Sequence, residues 1–356
     1  MSGPAPGGFP WGDNRPTVSQ RVAVSIAIAA VSAVLHYYRA AEWGGRSDFA
    51  PLWHAARLAL AGQDPYQLIG PGKAVESVYN MYYPGTAFVF ALPFSLIPSF
   101  HLASTVFVFV SAMLLAYGVT ADGWHRLPIF PSIAYCTTVF IAQWSIIMTA
   151  ALFLPAVAMI AASKPQSSIP AIASSTNPRT YQWAAGGTIA LIAASLWLLP
   201  SWPASWLGMV RGSSDFVPAV SRFAGPAILL ALFRWRRPEA WLILIAACLP
   251  QTWPPYNGLI LMTVAATYRE ACFLSLVSSF SWAGWAWFFG EGLTPEQSQS
   301  QMSTVLNLSS YLPATLLVLI RPNQGTGPLW LSWLVGLRRH GPGGRGVQSS
   351  MPRKEA

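Results

Sequence analysis

Charge is what this sequence has least of. Lys, Arg, Asp and Glu make up 9% of the 356 residues, whereas hydrophobic residues make up 53%. An average soluble domain is about 25% charged, so this composition argues strongly against a soluble globular protein. It also excludes a disordered chain, which needs high charge and low hydrophobicity. The sequence therefore predicts an integral membrane protein with the lipid bilayer as a partner, and its 13% of aromatic residues agrees with two interfacial belts.

Cysteine and the usual metal ligands are also scarce. The three cysteines have no paired spacing and each lies in or beside an apolar run, so we predict buried packing thiols: Cys136, Cys248 and Cys272. The five histidines are scattered, and the sequence has no Gly-Lys-Ser/Thr phosphate loop and no His-Glu-x-x-His motif. We expect no metal and no cofactor.

The net charge of +9 is distributed in a way that argues against a nucleic-acid partner. Basic residues are spread over short loops, and the only dense cluster lies in the last 36 residues: Arg321, Arg338, Arg339, Arg345, Arg353 and Lys354. Under the positive-inside rule this cluster predicts a cytoplasmic tail that can contact anionic lipid.

The distance between charged residues predicts where the chain crosses the membrane. There are 17 uncharged residues between Arg21 and Arg39, and 45 between Glu76 and Asp122, which is enough for two crossings with a break at Pro93 or Pro98. Extended over the chain, this count predicts an all-α, polytopic protein with nine to eleven membrane segments. We expect a flexible cytoplasmic tail (residues 1–20), a transmembrane domain (21–321) and a basic cytoplasmic tail (322–356).

The first loop, residues 39–85, is long and is predicted to lie outside. Residues 47–62 have the signals of a helix: Ser47 or Asp48 as the N-cap, Pro51 in the first turn and Gly62 as the stop. An apolar face of Phe49, Leu52, Trp53, Ala56 and Leu60 predicts that this helix lies along the outer membrane surface. Its N-terminus would favour anions such as phosphate.

The same loop carries a longer pattern, which consists of Asp48-Phe49, Trp53, Ala55-Ala56-Arg57, Gly62, Asp64-Pro65-Tyr66 and Tyr83-Pro84. It resembles the first loop of glycosyltransferase family 87, the GT-C-type mannosyltransferases that use polyprenyl-phosphate mannose. Further along, Ala142-Gln143 resembles the family's Gly-Gln at a helix start, with Ala in place of Gly, and Lys164-Pro165 resembles its Lys-Pro. The resemblance covers residues 48–84 closely and extends more loosely to about residue 166.

The resemblance implies a GT-C-like membrane enzyme with its active site at the outer face of the cell membrane. It would move a hexose, by family mannose, with inversion from a polyprenyl-phosphate donor to a glycolipid or cell-envelope glycan. Asp48 occupies the place of the catalytic base. Candidate substrate-binding residues are His54, Arg57, Tyr66, Lys73, Tyr83, Gln143 and Lys164, with Arg46 as a further nearby cation. Such a reaction needs one base for the acceptor hydroxyl and positive charge for the departing phosphate.

Each candidate also has a simpler interpretation. Asp48 could act only as a helix cap, Arg57 could reach to lipid headgroups, and Lys164 could be a positive-inside anchor. His54 could be a neutral interfacial histidine, and Gln143 could bond a neighbouring helix. Two other function classes stay open: a transporter or flippase for a lipid-linked sugar, and a non-catalytic membrane scaffold.

Overall fold

The computed structural model describes residues 15–42, 47–211, 217–251, 255–289 and 295–339. Helices take up 72% of the structure and strands 2%, which confirms the prediction of a mainly α-helical chain. Most of the predicted N-terminal tail, Arg46 and the basic residues after Arg339 lie outside the described residues.

The elements are short on average and follow each other closely. The α-helices are α1 (Val18–Glu42), α2 (Ala50–Leu60), α3 (Pro65–Leu68), α4 (Gly85–Ser95), α5 (Phe100–Val119), α6 (Ile133–Phe140), α7 (Ser145–Ala150), α8 (Pro165–Ala173), α9 (Pro178–Leu198), α10 (Trp202–Arg211), α11 (Pro238–Cys248), α12 (Leu259–Met262), α13 (Tyr268–Phe289), α14 (Pro295–Leu306), α15 (Leu312–Leu319) and α16 (Leu329–Arg339). The 3₁₀-helices are Leu127–Ile129, Pro155–Ser163, Ala219–Ser221, Gly225–Arg234 and Pro255–Gly258, and a π-helix (Asn307–Tyr311) joins α14 to α15. Two-residue strands pair as β1 (Ile69–Gly70) with β2 (Val75–Glu76), in parallel, and β3 (Val217–Pro218) with β4 (Pro250–Gln251), antiparallel.

Three helical segments are long and apolar enough to cross a membrane: Val18–Glu42, Phe100–Val119 and Gln301–Leu319. The pair α9 and α10 makes a fourth if its 102° bend is counted within one span. The predicted nine to eleven membrane segments exceed this number. The prediction counted residues between charges, and such a count does not show where proline and glycine divide an apolar stretch into short helices. Between Arg126 and Lys164, for example, one stretch becomes two 3₁₀-helices and two α-helices of 8 and 6 residues.

The first long helix, α1, has one exposed apolar side and one side that packs inside the protein. Val22, Ile26 and Val34 are exposed, whereas Ala29 and His36 are fully buried. The His36 ring makes two hydrogen bonds of 2.9 Å, to the Val139 carbonyl and to the Ser104 hydroxyl. One side chain of α1 therefore joins α5 and α6, through contacts with residues 68 and 103 positions further along the chain.

The start of α2 corrects the predicted cap. The N-cap is Phe49, which makes no side-chain cap bond, and neither Ser47 nor Asp48 caps the helix. The Ser47 hydroxyl accepts the N–H of Phe49 at 3.1 Å, while the Asp48 carboxylate faces another part of the chain. The end of the helix is as predicted, since Gly62 has a left-handed φ of +69° just after it.

The apolar face of α2 packs inside the protein, which corrects its expected place on the membrane surface. Leu52, Trp53 and Ala56 are buried, and only Leu60 of the predicted face is exposed. The Phe49 ring stacks on Phe107 at 4.5 Å between centroids. The apolar face of α2 therefore packs against aromatic side chains in the protein core. A helical pattern in the sequence shows that a face is apolar but does not show whether its partner is protein or lipid.

The cysteines are unpaired as predicted, but they are not buried. Cys136 and Cys272 are partly exposed and Cys248 is exposed. The expectation of buried thiols is therefore wrong, because an apolar run in this chain has sides that face outward.

The last helix, α16, is anchored to the rest of the structure by a hydrogen bond from the Trp330 ring to the Ala173 carbonyl at 2.8 Å.

A bent helix holds the first loop in place. α10 leaves α9 at 102° and reaches three points of the loop. Ser205 donates to the Asp64 carboxylate at 2.8 Å, and the Trp206 ring donates to the Tyr82 carbonyl at 2.9 Å. The Trp202 ring lies so close to Gly85 that a Cβ there would come within 2.5 Å of it. Loop and bent helix therefore form one packed unit.

Two adjacent glycines of α9 offer a test of the packing between α9 and the helix Pro155–Ser163. A Cβ on Gly187 would come within 2.1 Å of the Met159 carbonyl oxygen, whereas a Cβ on Gly186 would meet nothing within 4 Å. We expect Gly187→Ala to destabilise the protein by about 1–3 kcal/mol, because backbone cannot yield as a side chain can. Thermal unfolding of the purified protein in detergent measures the effect.

Gly186→Ala is the matched control. It should be neutral or stabilise by about 0.5–1 kcal/mol, because alanine favours the helix. Equal melting temperatures for the two variants would contradict the close approach at Gly187.

Candidate functional site

Five side chains from five separate junctions between helices meet at one place. Asp48 precedes α2, Tyr83 precedes α4, Gln143 lies between α6 and α7, Lys164 precedes α8, and Tyr256 lies in the 3₁₀-helix Pro255–Gly258. Four of these were predicted separately from the sequence as site residues. The structure brings those four together.

The backbone around Asp48 is fixed by one carbonyl group. The Asp48 N–H donates to the Ile141 carbonyl at 2.9 Å, and the Ser47 hydroxyl donates to the same oxygen at 3.0 Å. This double contact ties the first loop to the end of α6. It also turns the Asp48 side chain toward Gln143 and away from the helix that it precedes, which explains why Asp48 is not a cap.

The amide of Gln143 connects the acid and the base of the site. Its Nε2 donates to the Asp48 carboxylate, while its Oε1 accepts from the Lys164 ammonium and, at 2.6 Å, from the Trp144 N–H. The reverse orientation of the amide would place donor against donor at Lys164. All of this amide's polar atoms are therefore occupied, and Gln143 is 1% exposed.

Gln143 reaches this position through an unusual backbone conformation. Ala142 has φ +48°, in the left-handed region, and its side chain is fully buried. The Gln143 N–H then donates back to the Thr138 carbonyl at 2.8 Å. A left-handed alanine costs about 1–2 kcal/mol, so the surrounding structure imposes this turn.

Lys164 and the two tyrosines complete the cluster. Lys164 is buried at 5% exposure, and its Nζ lies 5.7 Å from the ring centres of both Tyr83 and Tyr256. Tyr256 donates a hydrogen bond to the Asp48 carboxylate. Asp48 and Tyr83 are only partly buried, so the cluster has an open side on which a ligand can approach.

The segments that carry Tyr83 and Lys164 are fastened to each other. The Thr86 hydroxyl donates to the Ala162 carbonyl at 2.7 Å, and the Ser163 hydroxyl donates to the Thr86 carbonyl at 3.2 Å. These two bonds join the start of α4 to the residues just before Lys164. The spacing between Tyr83 and Lys164 is therefore set by backbone contacts.

Two predicted substrate-binding residues, Tyr66 and Lys73, stabilise the backbone at Tyr83. The Tyr66 hydroxyl donates to the Tyr83 carbonyl at 2.8 Å, and the Lys73 ammonium donates to the Tyr66 carbonyl at 2.9 Å. Asp64 caps the helix that begins at Pro65 by accepting the Tyr66 N–H at 2.9 Å. This part of the family-like pattern has a structural role.

His54 and Arg57, the other two predicted substrate-binding residues, lie on a different side of α2. The Arg57 guanidinium is 4.6 Å from the Trp53 ring centre and donates to the Ser95 carbonyl at 3.3 Å. The His54 ring meets Trp53 edge-on at 4.9 Å, and burial followed by the charge of Arg57 lowers its pKa. Within the described residues, neither side chain contacts Asp48 or Lys164 through a hydrogen bond or an ion pair.

Removal from water changes the pKa of both ionisable partners at the centre. Burial raises the pKa of Asp48, against the opposing effects of Lys164 and the Tyr256 hydrogen bond. Burial lowers the pKa of Lys164 to about 8, against the opposing effect of Asp48. Burial and the nearby Asp48 charge raise the pKa of Tyr83 well above its usual value, so Tyr83 is neutral. The pKa of Asp48 and the pKa of Lys164 are thus both shifted toward neutral pH, as is common for groups that transfer protons or bind anions.

The arrangement offers the carboxylate of a partly buried residue and a buried ammonium group, held apart by a neutral amide. The carboxylate can accept a proton, and the ammonium can bind an anion. Of the His, Cys, Asp and Glu side chains in the described ranges, no three lie close enough together to hold a metal ion.

Tyr256 was missed from the sequence. It lies in Pro254-Pro255-Tyr256-Asn257-Gly258, where proline and glycine interrupt an apolar stretch. Irregular backbone inside an apolar stretch is tolerated where it lines a cavity, so this interruption could have marked a site. No motif connected it to the first loop.

No family model, no curated protein and no solved structure matches this chain.

Ala142 gives a direct test of the strained turn at the site. Ala142→Gly should stabilise the protein by about 1 kcal/mol, because glycine adopts a positive φ without steric cost. The position of Gln143 should be retained. Thermal unfolding measures the change.

Ala150→Gly is the comparison, since Ala150 is equally buried but lies in α7 with helical geometry. There glycine should destabilise by about 1 kcal/mol. A loss of stability of the same size at both positions would contradict the left-handed turn at Ala142.

Proposed function

We propose that this protein is a polytopic, GT-C-like membrane glycosyltransferase that uses Asp48 as its general base. It takes a hexose, by its resemblance to family 87 a mannose, from a polyprenyl-phosphate donor. It transfers that hexose with inversion to a glycolipid or cell-envelope glycan. The active site faces the outside of the cell membrane.

One observation supports the proposal most. Asp48, Tyr83, Gln143 and Lys164, which the family-like pattern marks at four distant positions, form a single cluster in which Asp48 and Tyr83 are only partly buried. A pattern that arose by chance would have no reason to converge in space.

The chemistry follows from the geometry. The acceptor hydroxyl approaches the open side of Asp48 and gives its proton to the carboxylate as its oxygen forms a bond to the anomeric carbon of the donor. The bond between that carbon and the phosphate oxygen breaks, and its electron pair leaves with polyprenyl phosphate. Burial raises the pKa of Asp48 and so makes it a stronger base than an ordinary aspartate.

Lys164 serves the departing phosphate. Its ammonium is the cation nearest to Asp48 in the cluster, and Gln143 keeps the two apart. Without the amide between them, the carboxylate and the ammonium would neutralise each other directly. With it, the carboxylate stays available to the acceptor and the ammonium to the phosphate.

Asp48→Asn tests the base. Asparagine can still accept the hydrogen bonds from Gln143 and Tyr256, but it cannot accept a proton. Transfer of labelled hexose from a polyprenyl-phosphate donor to a membrane lipid extract should fall by about 10²–10⁴-fold. The melting temperature should change little, because burial already disfavours the ionised carboxylate in the folded protein.

Asp64→Asn is the matched control, since it removes a carboxylate from the same loop but asparagine keeps the helix cap. Its transfer rate should stay near that of the native protein. Near-normal transfer by a folded Asp48→Asn protein would remove Asp48 from the reaction. Movement of labelled donor across a vesicle membrane without transfer would favour the transporter.

The pH dependence tests Lys164. Its ammonium is lost as pH rises through about 8, so kcat/KM for the donor should fall above that pH. On the acid side, kcat/KM should fall at a higher pH than for an ordinary aspartate, because protonation removes the base and the pKa of Asp48 is raised.

Lys164→Arg should keep the transfer activity and lose the alkaline decline, because arginine stays charged at all relevant pH. Lys164→Met should reduce kcat/KM by roughly 10–100-fold near pH 7, the usual effect of losing a charge-assisted hydrogen bond. An unchanged alkaline decline in Lys164→Arg would assign that titration to another group.

A further inference from the structure

A small crevice lies directly beside the Asp48 cluster and takes no part in the chemistry described above. Its polar lining consists of Ser145, Thr149, Gln166, Ser167, Tyr256 and Asn257. Its volume is about 20 Å³, enough for about one water molecule or one group of that size. No charged side chain lines it, so it suits a neutral polar group better than an ion.

The crevice is built from the same chain segments as the cluster. Ser145 follows Gln143 by two residues, Gln166 follows Lys164 by two residues, and Asn257 follows Tyr256 directly. Tyr256 belongs to both, because it donates to Asp48 and also lines the crevice. A molecule that contacts Asp48 and Lys164 therefore lies next to the crevice.

Three of the lining side chains have no protein partner. Across the described ranges, the Ser145 hydroxyl, the Gln166 amide and the Ser167 hydroxyl make no hydrogen bond to the protein. Ser145 is nevertheless 6% exposed. Gln166 and Ser167 are partly exposed, so the unpaired polar groups at the edge of the site can be reached by a ligand and are free to bind it.

We propose that this crevice binds one hydroxyl group of the donor hexose, with Gln166 as its main contact. The inference rests on the proposed function. The hexose is bonded to the phosphate that Lys164 would hold, and Gln166 lies on the same turn of chain as Lys164. An amide offers both a donor and an acceptor, which a hydroxyl can satisfy together. The crevice would then decide which hexose is accepted, since a site built to bond a hydroxyl rejects a sugar that lacks it.

The test compares the native protein with Gln166→Ala on donors that carry either the complete hexose or one of its monodeoxy forms. With the complete hexose, Gln166→Ala should lower kcat/KM by about tenfold. With the one deoxy donor that lacks the bound hydroxyl, the native protein should lose a similar factor and Gln166→Ala should lose nothing more. A loss that is equal on every donor, or no loss on any, would overturn the proposal.

Gln182→Ala is the control, because Gln182 is an exposed amide on α9. It should leave kcat/KM unchanged on all donors.

A second measurement separates this proposal from the proposed function. Saturation-transfer NMR with soluble methyl hexosides detects sugar contact without any transfer reaction. Signal in the native protein and in Gln182→Ala, together with its loss in Gln166→Ala, supports the crevice even if the native protein transfers no sugar. Transfer without this dependence on Gln166, or no hexoside contact in the native protein, overturns the crevice.

Discussion

The amide of Gln143 is the contact on which the rest of the site depends. It satisfies the Asp48 carboxylate at one end and the Lys164 ammonium at the other, and it accepts the N–H of the next residue. An amide can do this without charge, because it presents a donor and an acceptor on one rigid plane. Lys164 is buried, so without that acceptor its ammonium would bear the full cost of leaving water.

Holding that amide requires a particular backbone, and the surrounding elements supply it. The Ile141 carbonyl takes two donors from the first loop, and the left-handed Ala142 turns the chain so that Gln143 points back. On the other side, two hydroxyl bonds join Thr86 to the segment before Lys164. The short helices supply the helix ends next to which these site residues lie.

The sequence predicted the components of the site better than their arrangement. Asp48, Tyr83, Gln143 and Lys164 were each indicated by a short pattern, but nothing in those patterns stated that they meet. The prediction that Asp48 caps α2 was wrong because cap propensity depends on neighbouring residues. The Ile141 carbonyl that redirects Asp48 is 93 residues away. Tyr256 was missed for the same reason, since its relation to Asp48 exists only in three dimensions.

The fold was predictable at the level of composition and less so at the level of length. The low charge and high apolar content gave the helical membrane class, and α1 and α5 emerged near their expected places. The helices in the middle of the chain are shorter than predicted, because apolar content does not reveal where a helix ends. The apolar face of α2 illustrates the same limit: the pattern located the face correctly but not its partner, which was Phe107 and not lipid.

The bend between α9 and α10 gives the first loop a partner from a distant part of the chain. α10 follows α9 after three intervening residues and makes an angle of 102° with it. Ser205 and Trp206 of α10 donate to the Asp64 carboxylate and the Tyr82 carbonyl, and Tyr82 adjoins the tyrosine of the cluster. The angle between these two helices is therefore a constraint on the position of Tyr83, which lies in neither of them.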